Sequence, residues 1–163
     1  MVKATRGDTA TGKAPAQVGE TFARRVRLDD AQIVAFALSV DDHNPLHHDV
    51  AVARAAGYPG LIASGTQVGS LLMALTATHF AQAMADGTLR NGLGVGFDIR
   101  FRAPVFAGED IELRWTVTEL IRKARLDGWI ALLEGDARSA RGVLLSSTGT
   151  LLLRRGAGDG SAS

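Results

Sequence analysis

Cysteine is absent from the 163 residues. Disulfides, thiolate nucleophiles and cysteine-ligated zinc are thereby excluded, and a reducing compartment suits the chain. Charge of one sign is equally scarce: 18 Lys and Arg stand against 17 Asp and Glu, a formal net charge of +1. A protein that binds duplex nucleic acid carries a clustered basic stripe. The nearest feature here is Arg122, Lys123 and Arg125, a short run at a strand end and turn that reads as a solvated edge. A long hydrophobic run is missing too. The stretch from Leu71 to Met84 is broken by Thr76, Thr78, His79 and Gln82, short of the roughly 20 apolar residues of a membrane span. Met1 to Lys13 is polar and has no apolar centre of the signal-peptide kind. These absences predict a soluble, cytoplasmic protein whose partners include neither nucleic acid nor a membrane.

What is present is the composition of a globular chain, rich in Ala, Gly, Leu and Val. The length suits one domain, expected over 16–155 between a flexible N-terminal segment, 1–15, and a flexible tail, 156–163. Glu20 to Leu28 reads as a strand. Asp29 or Asp30 then caps a helix carrying Ile33, Val34, Phe36, Ala37 and Leu38. A short helix covers Asp49 to Ala56 and ends at Gly57. A long one follows from Thr66 to Ala85, with Val68, Leu71, Leu72, Leu75 and His79 on one face and Met73, Ala77, Phe80 and Met84 on another. A helix apolar on most sides is buried on most sides. Its cover comes from the second half of the chain. Val95, Phe97, Ile99 and Phe101 alternate with polar or small residues, as do Ile111, Leu113, Trp115 and Val117. Asp127-Gly128 signals a hairpin turn, and Trp129–Leu133 and Val143–Leu153 read as further strands. The predicted architecture is α+β, a bent antiparallel sheet curled around one central helix.

The chemistry concentrates in Asp42-His43-Asn44-Pro45-Leu46-His47. Proline keeps Asn44 out of helical geometry, and the stiffened turn lets Asp42 and His47 address one small volume. Addition of water across a conjugated double bond requires two proton movements, one from water and one to the α-carbon. A carboxylate and an imidazole can share them, each contributing about 10²–10⁴-fold. Asn44 holds the water or orients one partner. The residues alone do not divide the two transfers between Asp42 and His47.

This stretch resembles the signature of the MaoC-like acyl dehydratases, also called R-specific enoyl-CoA hydratases. Their Asp-x-Asn-Pro-aliphatic-His core is followed by a small residue six positions after the His, matched by Ala53. A Gly-aromatic pair is matched by Gly57-Tyr58, and an Ile-x-His-Gly element by Ile62-Ala63-Ser64-Gly65 with Ser in place of His. Phe101-Arg102-Ala103-Pro104-Val105 and Gly108-Glu109-Asp110 resemble the family's later Pro-Val-Gly-Asp region. The resemblance spans 19–153. It implies a hot-dog fold and cofactor-free, reversible hydration of a trans-2-enoyl thioester to an R-3-hydroxyacyl thioester. The acyl group would be carried by coenzyme A or an acyl carrier protein. It further implies a homodimer or higher homo-oligomer, Asp42 and His47 as the acid–base pair, and the Gly65 N–H as oxyanion donor at a helix N-terminus, where unpaired N–H groups and partial positive charge gather. Such a donor is worth about 3–4 kcal/mol. Ser64 and Tyr58 are the substrate-binding candidates.

Two departures stand out. Asp41 occupies a position where the family usually has Gly, which predicts a positive φ, and its carboxylate adds a charge beside Asp42. Ser64 replaces His and bears on substrate choice; it also has the identity of a helix cap. His43 and His48 read as solvated loop residues, His79 as a core or interface histidine with one hydrogen bond, and Tyr58 and Trp115 as packing residues in the first instance. The histidine spacing matches no common zinc site. Two other functions use the same fold. A hot-dog thioesterase often carries its carboxylate on the central helix, and 65–85 contains no Asp or Glu. A non-catalytic acyl-thioester binder would not need the intact Asp42 and His47 pair.

Overall fold

A computed structural model describes residues 14–82 and 90–155. The segment expected to be loose, 1–15, lies almost wholly outside the described residues, and so does the tail 156–163. Among the described residues there are five strands: β1 (Thr21–Arg27), β2 (Arg90–Phe101), β3 (Asp110–Lys123), β4 (Gly128–Ser139) and β5 (Gly142–Arg155). They form one antiparallel sheet in the order β1-β3-β4-β5-β2. Three helices accompany it: α1 (Asp30–Ser39), α2 (Val50–Ala55) and α3 (Gly65–Phe80). α3 packs against all five strands, so the sheet wraps it. The α+β hot-dog architecture is present as read from the sequence.

Local chemistry explains the boundaries. Asp29 caps α1 through a reciprocal box with Gln32, each side chain accepting the other's backbone N–H at 2.8 and 3.0 Å. Asp49 caps α2, and Gly57 beyond its end has φ +89°. On β3, Ile111, Leu113, Trp115 and Val117 are buried, as their alternation predicts. The Trp115 indole N–H donates to Leu72 O at 2.8 Å, fastening the sheet to the middle of α3. Directly across from Trp115 stands Gly135; any side chain there would enter the indole ring.

Three expectations are corrected. The central helix stops at Phe80, five residues before Ala85. The buried Arg90 side chain reaches back to its end, donating to His79 O at 3.0 Å and, just past the helix, to Gln82 O at 3.4 Å. Met84 and Ala85 lie outside the described residues. The helix is also open along Ala74, Ala77 and Thr78, so its apolar surface is not fully covered by the chain's own sheet. In β2 a register shift between Gly94 and Gly96 interrupts the alternation, and Val95 turns out into solvent.

His79 behaves as a core histidine. Its ring stacks on Phe22 at 3.8 Å between centroids and its Nε2–H donates to Glu20 Oε1 at 2.6 Å. Arg90 donates to the same oxygen at 2.8 Å. Burial works to raise the Glu20 pKa, but hydrogen bonds from His79 and Arg90 outweigh it, and the carboxyl titrates below its ordinary 4.5. No helix among the described residues is long and apolar enough to cross a membrane.

Candidate active site

α1 ends in a Schellman motif. Asp42 N–H donates to Ala37 O at 2.9 Å and Asp41 N–H to Leu38 O at 3.2 Å. The motif needs a left-handed residue between helix and loop, and Asp41 supplies it with φ +58°. Its side chain points away from the site to an exposed pairing with His43 Nε2 at 2.8 Å. Asp42 is thus aimed by the backbone of the residue before it.

Two Asx turns build the next step. Asp42 Oδ1 accepts the Asn44 N–H at 3.0 Å, and Asn44 Oδ1 accepts the Leu46 N–H at 3.2 Å. Pro45 opens a 3-10 turn, Pro45–His47, with its φ already set. His47 emerges buried at the end of that turn. Its Nδ1 lies 2.8 Å from Ile62 O. A carbonyl only accepts, so Nδ1 carries the proton and Nε2 presents its lone pair in the neutral ring. Nε2 faces Asp42 Oδ2 at 3.5 Å, with the carboxylate side chain 30% exposed. Two proton acceptors facing each other at that distance suit a molecule with protons to give, such as water.

The third component is the start of α3. The sequence reads Ser64 as a possible cap, but its hydroxyl makes no cap bond. It pairs instead with the Thr66 hydroxyl at 2.7 Å. The Gly65 and Thr66 N–H groups have no acceptor among the described residues, and the positive end of the helix is left open for an anionic oxygen. A Cβ at Gly65 would lie 2.7 Å from Phe101 Cε1, so any side chain there displaces that ring.

His47, Ser64, Gly65 and Phe101 line one cavity of about 290 Å³. Asp42 meets it through His47 Nε2 and is not itself in the wall. The far wall, Ala103 to Val105, is fixed by Arg141, which forks onto Glu109 at 2.8 Å for both bonds and donates to Pro104 O at 2.6 Å. A larger groove of about 800 Å³ crosses the outer sheet face. Its Arg100 and Arg138 are already paired with Asp98 and Asp136, and it contains none of the candidate residues. Tyr58 lies outside that cavity, packed toward Phe106 with ring centroids 6.4 Å apart. The Asn44 side chain is spent on its turn. His48, read as a solvated residue, is half-buried and donates from Nε2 to Asp42 O at 2.6 Å, a second hold on the loop. The sequence reads Phe101 as a strand residue at the head of the stretch resembling the family's Pro-Val-Gly-Asp region; nothing in its alternation marks it as a wall of the site. Buried Gln67 donates to Gln32 O at 3.1 Å, tying α3 to α1, while its Oε1 has no partner among the described residues. Among the described residues no three His, Cys, Asp or Glu side chains are grouped to hold a metal ion.

Comparisons with known proteins point to one family. The family model described as "MaoC like domain" matches residues 12–130. The (R)-specific enoyl-CoA hydratase of Aeromonas caviae is 28% identical over 104 residues, 64% of this chain and 72% of that protein. A mitochondrial 3-hydroxyacyl-[acyl-carrier-protein] dehydratase of Arabidopsis thaliana is 28% identical over 103 residues, 63% of this chain but only 57% of the relative's length. Among solved structures, a MaoC-like dehydratase from Rhodospirillum rubrum superposes with a TM-score of 0.69 at 30% identity, covering 86% of this chain and 94% of that one.

Proposed function

The chain belongs to the MaoC-like domain family, and from that premise we propose that it is a hydro-lyase acting on acyl thioesters: it adds water to a trans-2-enoyl thioester to give an R-3-hydroxyacyl thioester, or runs the reverse. The observation that carries this reading is the facing of His47 Nε2 and Asp42 Oδ2 at 3.5 Å beside an open helix N-terminus. Water held between the two acceptors loses one proton to one of them as its oxygen attacks the β-carbon. The electron pair moves onto the thioester oxygen, which takes enolate character against the Gly65 N–H. A proton from the pair then reaches the α-carbon, and the net change is one H and one OH across the double bond. Asn44 orients the pair through its backbone N–H to Asp42 and through the turn its side chain closes. Ser64 contributes a hydroxyl to the binding cavity. The acid–base work is assigned wholly to side chains, with coenzyme A or a carrier protein as the handle of the substrate.

The same reading includes a second copy of this chain. Strand β2 is an edge strand, and Leu93 and Val95 along it are 63% and 61% exposed. An uncovered apolar edge invites pairing.

The test is loss of enoyl ultraviolet absorbance when the protein meets crotonyl-CoA, with Asp42→Asn and His47→Ala alongside. Turnover in the parent and a loss of at least about 10²-fold in each variant is expected. Full activity in Asp42→Asn would sink the assignment.

A further inference from the structure

We infer that Arg141 and Glu109 are positioning residues for the acid–base pair, acting on His47 through the paired backbones of Phe106 and Ile62. The inference rests on the hydro-lyase reading above and adds two residues to its machinery. Neither lines the cavity.

The path starts at the imidazole. With the proton on Nδ1 the neutral ring presents its lone pair to the site, and one bond holds that tautomer, to Ile62 O at 2.8 Å. The Ile62 N–H donates to Leu46 O at 3.2 Å, so Ile62 is fastened twice to the turn that carries His47. Ile62 is itself placed by a short antiparallel pairing with Phe106. On either side of the pair, Ala63 N–H donates to Val105 O at 2.8 Å and Ala107 N–H to Leu61 O at 3.0 Å. The two central residues of such a pair turn their own N–H and C=O outward, away from each other. Those of Ile62 go to the His47 turn. Those of Phe106 go to Glu109: its N–H donates to Glu109 Oε2 at 3.0 Å, and its carbonyl accepts the Glu109 N–H at 3.2 Å.

Arg141 holds the far end of this path. It stands in the turn between β4 and β5 and crosses to both Glu109 oxygens and to Pro104 O. Its guanidinium also lies over the Phe106 ring, 4.2 Å from the centroid. Burial works to raise the Glu109 pKa, but hydrogen bonds led by that from Arg141 outweigh it, and the carboxyl stays below its ordinary 4.5. One planar fork thus holds the carboxylate, the Pro104 carbonyl and the Phe106 ring together, which a lysine ammonium does not reproduce. Ile62 also leads through Ala63 and Ser64 into Gly65 at the start of α3. The same strap carries the anchor of the imidazole and the oxyanion donor.

The experiment compares Arg141→Ala, Glu109→Gln and the two together with the parent, each in the full chain. Two quantities are read: kcat and KM on crotonyl-CoA, and the proton–nitrogen correlation spectrum of the histidine rings, with His47→Ala assigning the signal. The parent should show His47 protonated at Nδ1. Each single variant should mix in the Nε2–H form. Each should also lose at least about ten-fold in kcat, since a misplacement on the order of 1 Å costs about 10²-fold, and KM should change less. Both residues act along one path, so the double variant should fall no more than about two-fold below the worse single. Arg141→Lys keeps the charge without the fork and should show the same mixing with a smaller loss; it replaces Arg141→Ala if that chain does not fold. A His47 ring that stays wholly Nδ1–H in the folded variants overturns the inference. So do losses that multiply in the double variant, or kcat left at the parent's value. A parent without turnover overturns the hydration reading instead, and the ring spectra then still decide whether Arg141 and Glu109 set the tautomer.

Discussion

The two ends of α3 are built on opposite principles. At Gly65 the backbone is left open: free N–H groups, no side-chain cap, no Cβ, and neighbours aimed by turns. At His79 and Phe80 everything is closed. Arg90 satisfies the helix carbonyls, Glu20 holds both Arg90 and His79, and Phe22 stacks on the imidazole. One end leaves hydrogen-bonding capacity open, and the other spends it on the fold. Activity and stability should therefore separate along a single helix.

The largest expected effect tests the closed end. Arg90→Met removes the guanidinium from a largely buried carboxylate and from the carbonyls at the end of α3. Breaking such a pair costs about 3–5 kcal/mol, most of it from the charge left behind. Denaturant titration should show that loss, while KM of the protein that remains folded stays near the parent's. A variant whose KM moved and whose stability did not would erase the contrast between the ends.

Gly65→Ala probes the open end in mirror image. The added methyl displaces the Phe101 ring, and a misplacement on the order of 1 Å at a reacting centre costs about 10²-fold in rate. Stability should hold, because alanine favours a helix over glycine by up to about 1 kcal/mol. Phe101→Leu in the same chain should return part of the lost rate by making room. A double variant no faster than Gly65→Ala would show that the ring is not what the methyl disturbs.

The sequence made most of this legible, for identifiable reasons. Strong alternation placed β3 and its buried Trp115, and Asp29, Asp49 and Gly57 carried the helix ends in their chemistry. The Asp42 to His47 spacing named the two residues that the fold brings face to face. Features that depend on distant partners were hidden. At the stop at Phe80 Arg90, from well along the chain, donates to His79 O, and the bulge near Val95 lies in the pairing with β5. Phe101 joins the site because a strand far along the chain crosses the start of α3. His48 differs from His43 only in which way the loop turns it.

Acid should strike the closed end first. The Glu20 pKa in the fold is below its ordinary 4.5. A depressed carboxylate contributes stability that is fully present above the unfolded-state value and is lost as pH falls through the lower folded value. Thermal melts from pH 7 downward should therefore lose midpoint in the acid range, and Glu20→Gln, less stable at neutral pH, should lose less of it. Parallel curves for the two proteins would move the acid-sensitive group elsewhere, Glu109 beside Arg141 being the next carboxyl held low against the effect of its burial.

The smallest effect sharpens the idea that the open end works through backbone. Asp41 holds φ +58° and turns its carboxylate to His43, away from the reacting groups. If its service is the left-handed turn that aims Asp42, glycine performs it as well, since glycine enters that region without steric cost. Asp41→Gly should keep kcat/KM within about two-fold of the parent, and relief of the left-handed strain, roughly 1 kcal/mol before the entropy cost of glycine is subtracted, should leave stability unchanged within about that amount. Asp41→Ala keeps the strain and loses the local hydrogen bond, so it should be the less stable of the two. A large change in the pH–rate profile of Asp41→Gly would mean that the Asp41 charge, and not the shape of its backbone, sets the protonation of Asp42 and His47.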